Sequence, residues 1–233
     1  MASEKTCGVN HKTLIILYVG IIYIGMNNGS DLMKDMPSNT RDKILGVAID
    51  IFGSKGDVTT REITKKAGVN IASINYHFGS KNNLLKEVEG YYSEMLYNMQ
   101  NEIINNVKYS PKEKLVYWAN SIMEYMLEYP ALITLISNLV SKDAKYNPGL
   151  LKKFFFNIEL KEKIEEIIGE ITKIEDELVL NCKYTQLFSG ILGPILFQTI
   201  RSVYESERVF YDIYKKEDRM EYIEELINSI LKS

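Results

Sequence analysis

An all-α fold is expected for this chain, and three observations predict it. After residue 38, apolar residues recur every three to four positions. Segment after segment opens with a serine, threonine or asparagine suited to capping a helix, twice with a glutamate three residues on. No run alternates apolar and polar residues between turn signals, as a half-buried strand would. The 233 residues are 45% hydrophobic and 25% charged with five prolines, which is enough apolar material for one large or two small domains without long disorder.

The elements follow in order. Residues 1–37 stand apart as an N-terminal extension containing "LIILYVGIIYI" (Leu14–Ile24), eleven nearly continuous apolar residues. That is short of the ~20 needed to cross a bilayer as a helix. Lys5 and Lys12 precede it, as in a signal peptide, but no small-residue cleavage pattern follows. A buried extra element is a second reading. The preferred one is a start assigned too early, because Met26, Met33 and Met36 all lie between this run and the first regular helix.

In "SNTRDKILGVAIDIFGSKG", Ile44, Ala48 and Phe52 stand at i, i+4 and i+8, with Ser38 or Asn39 as cap and Gly56 as stop. "TTREITKKAG" opens with the capping box Thr59-x-x-Glu62 and closes at Gly68. Asn70 then caps a short helix to Phe78, and Ser80 starts a long one to about Val107. Ser110, Pro111 and Glu113 repeat the start signal with proline at the first helical position. Further helices are expected at about 111–128, 130–142, 149–172, 175–205 and 217–232. No internal repeat or low-complexity tract interrupts them.

The net charge of −3 hides a split. Residues 38–85 hold seven Lys/Arg against four Asp/Glu, and residues 86–233 hold eighteen against twenty-four. A basic head on an acidic body suits a head that meets nucleic acid. Cys7 and Cys182 give no disulfide framework and fit a reducing compartment, hence the cytoplasm. With His11 and His77 as the only histidines, no zinc site has usual spacing, and neither a metal nor a cofactor is expected.

A helix of eight residues is marginal alone and gains its stability by packing, which leaves its outward residues free for other work. With Ile74 pointing inward, Ile71 and Phe78 fall on the same side, while Ala72, Ser73, Asn75 and Tyr76 point away or flank it. The preceding helix buries Ile63 and Ala67 and leaves Arg61, Lys65 and Lys66 to solvent. A helix, a glycine turn and a second helix with a small polar outer face form a helix-turn-helix, whose second helix enters the major groove. Ala72 permits close approach and can touch a thymine methyl. Ser73 and Asn75 can meet base edges, and Tyr76 and Lys81 can reach phosphates. Thr60 and Asn70, at the starts of the two helices, complete the expected DNA-facing set. A plain helical hairpin on a bundle would show a similar polar face.

From about Asn39 to Leu85 the strings "TRDKILGVAIDIFGSKG", "TTREITKKAGVN" and above all "INYHFGSKNNLL" resemble the N-terminal domain of the TetR family of bacterial transcriptional regulators. The resemblance covers about fifty residues. It implies a three-helix DNA-binding domain over 38–85, joined by a long fourth helix to a helical effector-binding and dimerisation domain over 86–233. It also implies a homodimer on a palindromic operator, released by a small molecule, and so a repressor. His77 resembles the family's structural histidine and is read as packed and hydrogen-bonded. The sequence departs from the family in a slightly short loop, Gly56-Asp57-Val58, ahead of the second helix's cap.

Enzyme readings fail on the residues. There is no strand to lead a phosphate loop, no nucleophile elbow and no Ser/His/acid set. The rival reading is a helical small-molecule binder or interaction protein without DNA activity, which a mobility-shift assay on the chain's own upstream DNA separates from a regulator. In the body, Tyr184–Tyr204 is apolar on most sides, with Gly190, Gly193 and Pro194 within one turn. A helix apolar all round must be covered, by the chain's own core or by a partner, and small residues admit a neighbour. The family's last two long helices usually form a four-helix dimer interface, so the resemblance implies that Gly193 lies at a helix contact between protomers. Tyr117, Trp118, Met123, Tyr125, Phe155 and Phe188 are the candidate effector contacts. Phe154, Phe155 and Phe156 cannot all face one side. Few charges interrupt these stretches, which favours an uncharged or weakly polar effector of unspecified identity.

Overall fold

Side-chain caps set where these helices begin. The computed structural model describes residues 39–204 and 212–232, with side chains described to residue 198 in the first stretch. The run Leu14–Ile24 and the candidate cap Ser38 lie outside the described residues. The chain divides after Lys43 into two units, and of the first only the opening turn of α1 is described. The packing described below lies within the second unit, from Ile44 onward. Among the described residues there are nine α-helices and no strand: α1 Thr40–Lys55, α2 Thr60–Ala67, α3 Ile71–Phe78, α4 Lys81–Ile104, α5 Pro111–Glu128, α6 Ala131–Lys142, α7 Ile158–Thr172, α8 Glu177–Tyr204 and α9 Lys216–Leu231.

The local signals hold. Asn39 Oδ1 accepts from the Arg41 N–H, Thr59 and Glu62 form the capping box of α2, and Asn70, Ser80 and Ser110 cap α3, α4 and α5. Two boundaries differ from expectation. α4 stops at Ile104, where the Asn105 amide donates to the Asn101 carbonyl, and Val107 is exposed. The single helix expected over 149–172 is broken. Residues Leu151–Phe155 form a π-helical turn, and Asn157 then donates back to the Lys153 carbonyl while accepting from the Leu160 N–H. One asparagine ends one element and begins the next.

The centre of the body is α5, which packs against α4, α7, α8 and α9 and buries Leu115, Trp118, Ala119, Ile122 and Met123 completely. Within the single chain, α8 keeps an open apolar side with Leu178, Leu196 and Phe197 exposed. Of its glycines, Gly190 serves the chain's own packing, since a Cβ there would lie 2.6 Å from Leu226 of α9. Gly193 has no neighbour within 4 Å of its Cβ position among the described residues. Pro194 has no N–H to give the Gly190 carbonyl one turn earlier, and the Tyr222 hydroxyl of α9 donates to that oxygen instead at 2.7 Å. Buried Arg219 pins α9 to α5 through Glu124 at 2.5 Å and Asn120 at 2.9 Å, and also donates to the Ile213 carbonyl just before α9.

The segment between α6 and the π-helical turn is held to α4 by one buried carboxylate. Glu89 accepts from the Ser93 hydroxyl at 2.6 Å, the Tyr146 hydroxyl at 2.6 Å, the Gly149 N–H at 3.1 Å and the Leu150 N–H at 2.9 Å. The two N–H groups open a helical segment with no side-chain cap of its own, so Glu89 supplies the cap from another helix. A side chain at Gly149 would press on Ser93, at 3.0 Å, so one of the two would have to give by a few tenths of an ångström. Lys86 with Asp143, at 2.7 Å, and Lys153 with Glu94 flank this clamp.

Burial keeps several tyrosines neutral to high pH. Burial first, then nearby charge or hydrogen bonding, raises Tyr125, Tyr129 and Tyr146, and burial together with Glu165 pushes Tyr184 up to about 12. Because the folded values exceed the unfolded value of ~10, this contribution to stability is complete below that pH and is lost as pH rises through the folded values. The urea midpoint, followed by circular dichroism, should therefore fall steadily from pH 10 to 12. A midpoint that stays level over this interval would show that the rings ionise without resisting it.

Candidate nucleic-acid interface

α2 and α3 meet through a turn whose geometry is set by Gly68, left-handed at φ 64°, followed by extended Asn70. A side chain at Gly68 would be strained in that conformation. Asn70 Oδ1 accepts from the Ala72 N–H and fixes the first turn of α3. Ile63 and Ala67 of α2 and Ile74 and Phe78 of α3 go into the core, as their spacing predicts. Ser80 caps α4 directly after α3, and Asn83 donates to the Phe78 carbonyl, so the reading unit and the long helix are tied together.

Ala72, Asn75 and Tyr76 point outward, with the Tyr76 ring 85% exposed. Ser73 and Lys81 are half-buried at the flanks. Thr60 is half-buried at the start of α2, where its carbonyl accepts from the Thr64 hydroxyl. Asn70 is exposed, but its side-chain oxygen is used by the cap. Two expectations are corrected. Ile71 is 51% exposed rather than packed beside Phe78, because Val69, just before the cap, packs against the core instead. His77 is half-buried and meets the Tyr76 ring edge-on at 4.9 Å, with no side-chain hydrogen bond among the described residues.

The electrostatics favour an anion on this side. Lys55 is paired with Glu62 at 2.8 Å and Lys66 with Asp50 at 3.7 Å, whereas Arg61, Lys65 and Lys81 form no ion pair among the described residues. Lys55, Thr59 and the Thr59 N–H hold the Glu62 carboxyl down to about 2. That carboxylate is thereby committed to the fold at neutral pH.

The six candidate effector residues fall into two groups. On α5, Trp118, Met123 and Tyr125 are enclosed in the core, and Tyr117 is half-buried against Tyr109 at 4.7 Å. Phe155 and Phe188 lie in a separate aromatic cluster with Phe154 and Tyr184, the two rings 5.8 Å apart. Phe156 is the ring left in solvent. Sequence reasoning missed the polar links from α4 to the body. The Trp118 indole donates to Gln100 at 3.0 Å, and the Tyr125 hydroxyl donates to the Tyr92 carbonyl at 2.6 Å. The partners are 18 and 33 residues apart, and no local pattern marks them.

Residues 44–88 match the family model described as bacterial regulatory proteins, tetR family. Over 193 residues the chain is 28% identical to the "Probable HTH-type transcriptional regulator YttP" of Bacillus subtilis (strain 168), covering 78% of this chain and 91% of that protein. Among solved structures, the TetR family transcriptional regulator PfmR from Thermus thermophilus aligns with a TM-score of 0.53 at 18% identity, over 84% of this chain and 97% of that one. A transcriptional regulator from Rhodococcus sp. Rha1 aligns with a TM-score of 0.56 at 14% identity, over 83% and 96%. These two likenesses speak to the fold. Among the described residues, no helix is long and apolar enough to cross a membrane.

Proposed function

We propose, from a chain that is a TetR-family transcriptional regulator, that it represses transcription in the cytoplasm by gripping a palindromic operator as a homodimer until a small molecule releases it. In this reading residues 38–85 form the DNA-binding domain and residues 86–233 the effector and dimer domain. The observation that carries it is the outward face of α3, which presents Ala72, Asn75 and Tyr76 beside cations without ion-pair partners among the described residues. Tyr76 and Lys81 hold phosphates, Ser73 and Asn75 read base edges, and Thr60 and Asn70 position the unit on the backbone. α4 carries the signal. It starts under α3 and is bonded to Trp118 through Gln100, so an effector that moves α5 moves the reading head.

Binding to operator fragments, measured by fluorescence anisotropy, tests the core of this reading. Tyr76→Ala and Lys81→Ala should weaken binding across all sequences, whereas Asn75→Ala and Ser73→Ala should change sequence preference by ~1–3 kcal/mol per contact. Affinity should fall steeply with added salt, because phosphate contacts release counterions. Salt-insensitive binding, or intact binding after both Tyr76 and Lys81 are removed, would sink this geometry.

A further inference from the structure

Ile71 is a large apolar side chain on the outward face of α3, where the apolar periodicity of the helix leads one to expect it in the core. Its exposure has a structural cause. Val69 takes the place against the core, and the Asn70 cap turns the first helical residue outward. Residues four apart share a helix face, so Ile71 lies one turn from Asn75, with Ala72 and Tyr76 on the adjoining ridge. All four are exposed, and none carries a charge. Arg61 and Lys65 of α2 are exposed on the neighbouring helix and supply the positive surroundings a phosphate backbone needs.

The chemistry of that face is specific. In the major groove thymine alone presents a methyl group, and a carboxamide pairs best with the N6 and N7 edge of adenine. An aliphatic side chain one turn from an asparagine therefore matches A·T pairs, the amide on adenine and the methyl groups on thymine. We propose that Ile71 is a specificity-determining residue, packing on a thymine methyl in each half-site beside the base read by Asn75. This rests on the DNA-binding reading above and adds a contact to it. Burying one methyl corresponds to roughly a fourfold gain in affinity, and about fifteenfold for a symmetric pair in a two-fold site.

The test uses the full chain. Sequences it retains from a random duplex pool define the site, and each thymine is then replaced by deoxyuridine, symmetrically in both half-sites. Affinities are measured at one salt concentration for the unmodified protein, Ile71→Ala, Ile71→Val and Asn75→Ala, with melting temperatures as the folding control. The expected result is one thymine position per half-site at which uracil weakens the unmodified protein about fifteenfold. Ile71→Ala should bind thymine and uracil equally there, Ile71→Val should keep most of the discrimination, and Asn75→Ala should keep all of it. Discrimination unchanged in a folded Ile71→Ala, or absent at every thymine, overturns the role of Ile71 while leaving DNA binding intact. If no sequence is enriched at any salt concentration, the DNA-binding reading itself fails, and this inference with it.

Discussion

Glu89→Ala should destabilise the chain by roughly 3–5 kcal/mol, since each buried donor left without its acceptor costs about 1–3 kcal/mol. Four donors converge on that carboxylate: two hydroxyls and the N–H groups of Gly149 and Leu150. Alanine would leave them without an acceptor, the Ser93 hydroxyl and the Leu150 N–H in buried positions and the other two in part-buried ones. For a chain of this size such a loss lowers the melting temperature by about ten degrees. Glu89→Gln keeps the shape but turns an amide NH2 toward groups that already donate, so it should be only partly tolerated. The flanking pairs, Lys86 with Asp143 and Lys153 with Glu94, are partly solvated, and removing either should matter far less. Urea unfolding of these variants checks the ranking. A Glu89→Ala protein about as stable as the original would mean that the segment finds other acceptors.

Gly193→Arg should yield a folded monomer with much weakened operator binding. Among the described residues nothing lies within 4 Å of a Cβ at Gly193, so the described packing leaves room for a side chain there. The proposed dimer would not, because the same side of α8 carries exposed Leu196 and Phe197, and a two-fold axis brings two new charges into one apolar contact. An uncompensated buried charge weakens association on the order of 10³-fold. Gly190→Arg is the contrasting variant. It would strike Leu226 inside the chain and should damage folding before it affects assembly. Sedimentation of both proteins separates the two effects, and a dimer that survives Gly193→Arg would place the interface elsewhere.

These two glycines show what the sequence could and could not convey. Both read as small residues for a close helix, yet one faces a neighbour within the chain and the other meets none among the described residues, and only tertiary packing decides which. What depends on residues a few positions apart was legible: the Thr59–Glu62 and Ser110–Glu113 boxes, the Asn70 and Ser80 caps, and the outward Ala72, Asn75 and Tyr76. Ile71 was misplaced because periodicity treats the first residue of a helix like any other, whereas the cap and Val69 displace it. The break at Asn157 was hidden inside a long apolar pattern. The Glu89 clamp and the Gln100–Trp118 bond join segments far apart in the chain, where spacing carries no information.

The pairing of Pro194 with Tyr222 bears on how this sequence can change over time. The proline withdraws a donor from the Gly190 carbonyl, and the tyrosine hydroxyl replaces it. Tyr222 is costly to lose while proline stands at 194. Once a descendant carries an ordinary residue at 194, the helix restores its own bond and the Gly190 carbonyl no longer depends on the hydroxyl at 222. The reverse order passes through an ancestor with a bare carbonyl and is the harder route. The two positions form a single heritable unit with a preferred order of mutation, although they sit on different helices and 28 residues apart.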